Sequence, residues 1–227
     1  MLAVLKKELK TYFLTPIGYV FIGLFLEISS LIFYLYTYAS QSLNFSYTFY
    51  DSAIILTFII AILTMNMFAG ERKNGTDQLI MTSPKSITGI VLGKFFAALL
   101  VVIITEIFSL IYLAIISHFG TPNISTLGTT LLGFMLLTMA YISFGELASS
   151  ITGQPIIAYI ITFAFFFATM YIRNLSNIFS MISFIDLYEK FVTGIIPIEE
   201  IIQLLTFTIT CIILTIIILQ RRRNLKW

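Results

Sequence analysis

Gly70-Glu71-Arg72-Lys73-Asn74-Gly75-Thr76-Asp77-Gln78-Leu79-Ile80-Met81-Thr82-Ser83-Pro84-Lys85 is the longest charged interval lying between two strongly apolar segments of the chain. Its flanks read as lipid-soluble helices. A chain that keeps one such stretch at a membrane surface is expected to touch something in the aqueous phase with it.

Composition supports that setting. The 227 residues are 59 % hydrophobic and 11 % charged, against roughly 45–50 % and 25 % in a soluble domain. Several apolar runs reach the ~20 residues that a helix needs to cross a bilayer core. The fold class is therefore an all-α polytopic membrane protein, one transmembrane domain over 1–227. Cys211 is the single cysteine and lies in an apolar run. Neither a disulfide framework nor a cysteine metal cluster is available, and nothing points to nucleic acid.

Outward from the charged stretch, six membrane spans are expected at 16–39, 51–69, 87–117, 127–149, 156–172 and 201–219. Residues 1–14 read as an amphipathic helix in the interface. Leu2, Leu5, Leu9, Tyr12 and Phe13 share one face, and Lys6, Lys7 and Lys10 the other, a pattern suited to anionic headgroups. A signal peptide also has a basic start, but the apolar run that follows is too long and no small-x-small cleavage site appears.

Six spans put both termini on one side. With that side inside, Lys6, Lys7, Lys10, Arg72, Lys73, Lys85, Lys94, Arg221, Arg222, Arg223 and Lys226 are inner, and only Arg173 and Lys190 are outer. The positive-inside rule then makes both termini and segment 70–86 cytoplasmic, in a multi-pass protein of the cell membrane.

Within 70–86, Gly75 is placed to stop a helix. Thr76 and Asp77 can cap a new one and put negative charge at its positive end. Leu79, Ile80 and Met81 supply an apolar side, Pro84 ends it, and Ser86 can cap the next span. The product is a short helix across the inner mouth of two spans. A plain solvated basic loop is the alternative at this point.

Three glutamates fall within spans: Glu27, Glu106 and Glu146. An ionised acid at mid-bilayer costs about 2.5–3.5 kcal/mol. They read either as a polar patch on a translocation path or as acids hydrogen-bonded between helices. Gly89-x-x-x-Gly93-Lys94 is one residue short of a phosphate loop, lacks its Ser or Thr, and follows no strand. Its glycines suit close helix packing instead. His118 has no companion ligands nearby, so no metal site is expected. Residues 173–200 form a more polar external segment. In it, Met181, Ile185, Tyr188 and Val192 line one helical face, and Ser183, Asp186, Lys190 and Thr193 another.

Glu71-Arg72-Lys73-Asn74-Gly75-Thr76, then Leu79 and Thr82-Ser83-Pro84, then Val91-Leu92-Gly93-Lys94, resemble the signature of the type-2 ABC transporter permeases. Ser183, Asp186, Phe191, Gly194 and Ile195-Ile196, with the basic tail Arg221-Arg222-Arg223, resemble the branch of gliding-motility and nitrous-oxide-reductase maturation permeases. Asp77-Gln78 and Pro197 depart from that pattern. The resemblance implies the membrane subunit of an ABC exporter. Segment 70–86 would be a coupling helix contacting a separate ATP-binding subunit through Glu71, Arg72, Lys73, Gly75, Thr76, Asp77, Leu79 and Pro84. The N-terminal helix would lie beside it, and 173–200 would rim the exit path. ATP and Mg²⁺ would belong to the partner, with no cofactor in this chain. A second copy or a sister permease would complete the membrane half. Two other readings stand beside it: an assembly or immunity factor that binds an ATPase without transporting, and a membrane-embedded enzyme using Glu27, Glu106 and His118.

Overall fold

The computed structural model describes residues 1–39, 46–78, 85–118, 123–172 and 183–225. Among them the chain is helical throughout. α1 (Leu2–Leu14) precedes α2 (Pro16–Ile32), which closes in a π-helical turn, Phe33–Tyr38. α3 (Ser46–Thr64) and the short α4 (Ala69–Lys73) follow. Then come α5 (Ile87–Ser109), α6 (Ile111–Ile116), α7 (Ile124–Ile151), α8 (Pro155–Ile172), α9 (Phe184–Val192) and α10 (Ile198–Leu225). Among the described residues five stretches are long and apolar enough to span a bilayer, and Pro155–Tyr171 is a shorter apolar helix.

Local chemistry explains most boundaries. Pro16 sits in the first turn of α2, where its missing N–H costs nothing. The Ser86 hydroxyl accepts from the Gly89 amide at 3.2 Å and starts α5. Asn123 Oδ1 accepts from the amides of Ser125 and Thr126 and starts α7. Inside the helices Thr57, Thr64, Thr105, Thr138, Thr162, Thr208 and Thr215 each return the hydroxyl proton to the carbonyl four residues back. That satisfies a hydroxyl where no water is available.

α7 is the central helix and packs against α3, α5, α8, α9 and α10. Small residues let it do so. A Cβ at Gly145 would collide with Thr64 of α3, and one at Gly133 with the Phe191 ring of α9. α9 is wedged into the bundle rather than lying on its rim. Phe184, Ile185, Leu187, Tyr188, Phe191 and Val192 are all buried, and Thr129 donates to the Phe191 carbonyl at 2.9 Å. Gly194 (φ +88) turns the chain beyond it. Residues 173–182 of the expected external segment lie outside the described residues.

α1 leans on α5. A Cβ at Gly93 would stand 2.9 Å from Val4, and Gly89 faces Met1. The glycine pair therefore seats the N-terminal helix. The buried stripe of α1 is Val4, Glu8 and Tyr12, with Leu9 and Phe13 packed beside it. Leu2, expected on the apolar face, is 70 % exposed, because the docking surface is set by the glycine face of α5.

Candidate functional site

The charged stretch begins where α3 breaks. The amides of Phe68 and Ala69 have no helical partners at the break, and the Ser149 hydroxyl of α7 accepts from both at 3.0 Å. Its own proton goes to the Met65 carbonyl at 3.0 Å. One side chain thus replaces a missing piece of helical ladder.

α4 ends in a Schellman motif. The Thr76 amide donates to the Glu71 carbonyl at 2.9 Å and the Gly75 amide to the Arg72 carbonyl at 3.1 Å. Gly75 supplies the left-handed residue, φ +71, that this motif requires. The residues past the helix, Asn74, Gly75 and Thr76, are exposed along with Lys73, its last residue.

The other two charges of α4 turn inward. Arg72 donates to the carbonyls of Ser150 at 2.8 Å and Ile151 at 3.3 Å, and also to that of Thr152. These are the open carbonyls at the C-terminus of α7, where positive charge is favoured. Arg222 of α10 reaches the same Ile151 carbonyl at 2.8 Å. Glu71 points to the opposite side. Its Oε1 is 3.0 Å from Lys94 Nζ of α5 and 3.4 Å from Lys7 Nζ of α1.

Lys94 is 2 % exposed. A buried ammonium needs compensation, and it has Glu71 Oε1 at 3.0 Å, Glu8 Oε1 at 3.1 Å, and the Phe68 ring centroid at 5.2 Å. Lys7 adds an outer cation 3.4 Å from Glu8. Burial works against the Lys7 charge, but Glu8 and Glu71 outweigh it and raise its pKa above the usual lysine value. Tyr12 is held well above the usual phenol range, by burial first and then by the charges of Glu8, Glu146 and Glu71. Its hydroxyl donates to the Leu63 carbonyl at 3.4 Å. A cleft of about 670 Å³ opens beside this junction, lined by Lys7, Glu8, Asn66, Glu71, Lys85 and Lys94 among others. The arrangement joins α1, α4 and α5 by charge and ties α4 to the end of α7.

A family model described as an ABC-2 family transporter protein matches residues 38–220. The chain belongs to the ABC-2 transporter family. It is a membrane permease component of an ABC transporter. No curated protein matches it.

In this ABC-2 permease the predicted contact residues divide into groups. Lys73, Gly75 and Thr76 are exposed, Asp77 is half-buried, and Glu71 and Arg72 are anchored in the bundle. Leu79 and Pro84 lie outside the described residues. The three span glutamates do not come together. Glu27 is exposed on the outer face of α2. Glu106 is buried on α5, with Oε1 lacking a hydrogen-bond partner among the described residues, beside Phe21, Phe25 and Phe134. Glu146 is fully buried on α7, neither oxygen has such a partner, and it is within electrostatic reach of Lys94 and Glu8. Among the described residues no group of three His, Cys, Asp or Glu could hold a metal, and His118 is exposed.

Sequence reasoning missed Glu8 and Ser149, and it read Lys94 as an inner positive and as part of two short motifs, not as a buried ion-pair residue. Lys94 did carry a signal: an ionisable residue two turns inside an apolar span points to function. Glu8 carried a weaker one, as the lone acid of a basic helix.

Proposed function

We propose that this permease is the transmembrane subunit of an ABC exporter. It couples ATP hydrolysis by a separate ATP-binding subunit to substrate movement across the cytoplasmic membrane. The ATP-binding subunit carries ATP and Mg²⁺ and docks on segment 70–86. Residues Glu71, Arg72, Lys73, Gly75, Thr76, Asp77, Leu79 and Pro84 form or shape that contact.

One observation carries the reading. The exposed residues Lys73, Gly75 and Thr76 project from a helix whose next inward residues are fastened in two directions, Arg72 to the α7 end and Glu71 to Lys94. A push on the exposed tip is thereby delivered to two membrane helices, α5 and α7, instead of being lost in a loose loop. The Arg222–Ile151 contact puts the basic end of α10 beside the same place, and the positive-inside rule makes that end cytoplasmic, with both termini.

A second permease, identical or a sister chain, completes the path. Glu27 supports this. A carboxyl exposed at mid-span is costly against hydrocarbon, and a path between two permeases would give it polar surroundings. Closed two-fold assembly is the simplest arrangement.

The test is co-purification from the native host after gentle solubilisation. Stoichiometric recovery of a P-loop ATPase, lost in a Glu71→Ala/Arg72→Ala variant, is the expected result. Recovery of the chain alone from several mild detergents overturns the reading.

A further inference from the structure

Two carboxylates from two helices hold a single buried ammonium, and a third, on α7, lies within electrostatic reach of it. Glu8 of α1 and Glu71 of α4 hold Lys94 at 3.1 and 3.0 Å. Glu146 of α7 is the third. It is fully buried, and neither of its oxygens meets a hydrogen-bond donor among the described residues. A buried carboxyl with both oxygens unserved is a costly state, and its neighbours explain what could serve it. Ser143 and Ser150, its helix mates, spend their protons on their own helix carbonyls. Thr64, which faces Gly145 next to it, donates to Ile60. Tyr12 donates to Leu63. Among the described residues, Lys94 is the one cation whose charge reaches Glu146.

The ends of Lys94's present bonds belong to the parts that an ATP-driven push would move. Glu71 is on the short helix below the break at Met65–Phe68, and Glu8 is on α1, which carries no spanning segment. Glu146 is on the central helix, against which the bundle packs. A four-carbon stem gives the ammonium ample swing. Resting on the coupling role proposed above, we propose that Lys94 is a two-position switch. Its ammonium pairs with Glu8 and Glu71 in the state described here. It transfers to Glu146 when the ATP-binding subunit displaces α4, releasing α1 from α5. Glu146 is then a positioning residue: it touches no substrate and acts by stabilising the displaced state. A two-state element of this kind needs a differential contact in each state, and the two carboxylate sets supply one apiece.

The experiment uses the full complex in lipid nanodiscs. Cys211→Ser removes the only cysteine, and spin labels are placed at Lys10→Cys on α1 and Gln154→Cys in the α7–α8 turn, both exposed. Pulsed electron resonance reads the 10–154 distance without nucleotide and in the vanadate-trapped ATP state. The unmodified switch should show a nucleotide-dependent shift in distance. Glu146→Gln, which leaves both present ion pairs untouched, should abolish the shift while the ATP-binding subunit still co-purifies. Glu146→Asp, which keeps the charge, should restore part of it. A full shift in Glu146→Gln, or no shift in the parent complex, overturns the switch. Loss of the ATP-binding subunit from the parent complex instead overturns the coupling reading on which it rests.

Discussion

Lys94 and Glu71 meet at 3.0 Å across the charged segment, and Lys94 does so with 2 % of its surface exposed. The pair joins the first deep residue of the polar stretch to a lysine two turns inside the following span. A buried ion pair is weak evidence of net stability, but breaking one side leaves an uncompensated charge. Lys94→Met leaves Glu8 and Glu71 with the outer cation Lys7, 3.4 Å from each, and should cost up to roughly 3–5 kcal/mol. Glu8→Gln leaves Lys94 with Glu71 and should cost clearly less. Thermal unfolding of the purified chain in detergent compares them, and equal midpoints would contradict the paired geometry.

Ser149 substitutes for backbone at the α3–α4 break. Ser149→Ala deprives two buried amides and one carbonyl of their partner at once. The expected loss is roughly 1–3 kcal/mol, large for one hydroxyl. Hydrogen exchange at Phe68 and Ala69 should accelerate selectively, whereas exchange in α8 should not change.

The α7 C-terminus has two cations on it, Arg72 and Arg222. Among the described residues Arg72 makes three carbonyl contacts and Arg222 one, at Ile151. Arg72→Gln should therefore destabilise by about 1.5–3 kcal/mol and Arg222→Gln by less. The double variant should deviate from additivity, because both share the Ile151 carbonyl. Strict additivity in a double-mutant cycle would argue against a shared site.

Close packing predicts a contrast among glycines. Gly145→Val drives side-chain atoms into Thr64 and should cost about 1–3 kcal/mol or prevent folding. Gly23→Ala, one helical turn from Glu27, meets nothing within 4 Å and should leave the unfolding midpoint of the isolated chain unchanged or slightly raised, since alanine favours helix. A loss of stability at Gly23→Ala would mean that this face of α2 is covered within one chain.

Gly75→Leu should strain the left-handed turn by about 1–3 kcal/mol and spoil the Schellman end of α4 without touching a membrane-buried residue. Membrane insertion should be normal. ATP hydrolysis by the partner should become uncoupled from transport, and Glu71→Ala should behave likewise. Normal coupling in both variants would remove segment 70–86 from the coupling role.

How much of this was legible beforehand follows from what each feature depends on. Helix termini are local, so Ser86 as the cap of α5 and Gly75 as a helix stop could be read from neighbours in sequence. The glycine pair at 89 and 93 was legible as a packing face, but not its occupant, since nothing in α5 specifies that α1 lies there. The glutamates in spans were visible as unusual. Their fates differ because burial is set by neighbouring helices: Glu27 faces outward, Glu106 sits beside aromatic rings, and Glu146 is fully buried within electrostatic reach of Lys94.

The sequence by itself determined that the chain is a helical membrane protein and where its polar interruption falls. Those properties follow from residue-by-residue transfer between water and hydrocarbon and need no tertiary contact. Only the tertiary structure decided that Arg72 caps α7, that Ser149 bridges the break, and that Glu8, Glu71 and Lys94 form one buried junction. Each of these joins residues 23 to 86 positions apart or nearly so in the chain. Charge pairing in a low-dielectric interior depends on separations of a few ångströms, which helix packing sets and no local pattern encodes.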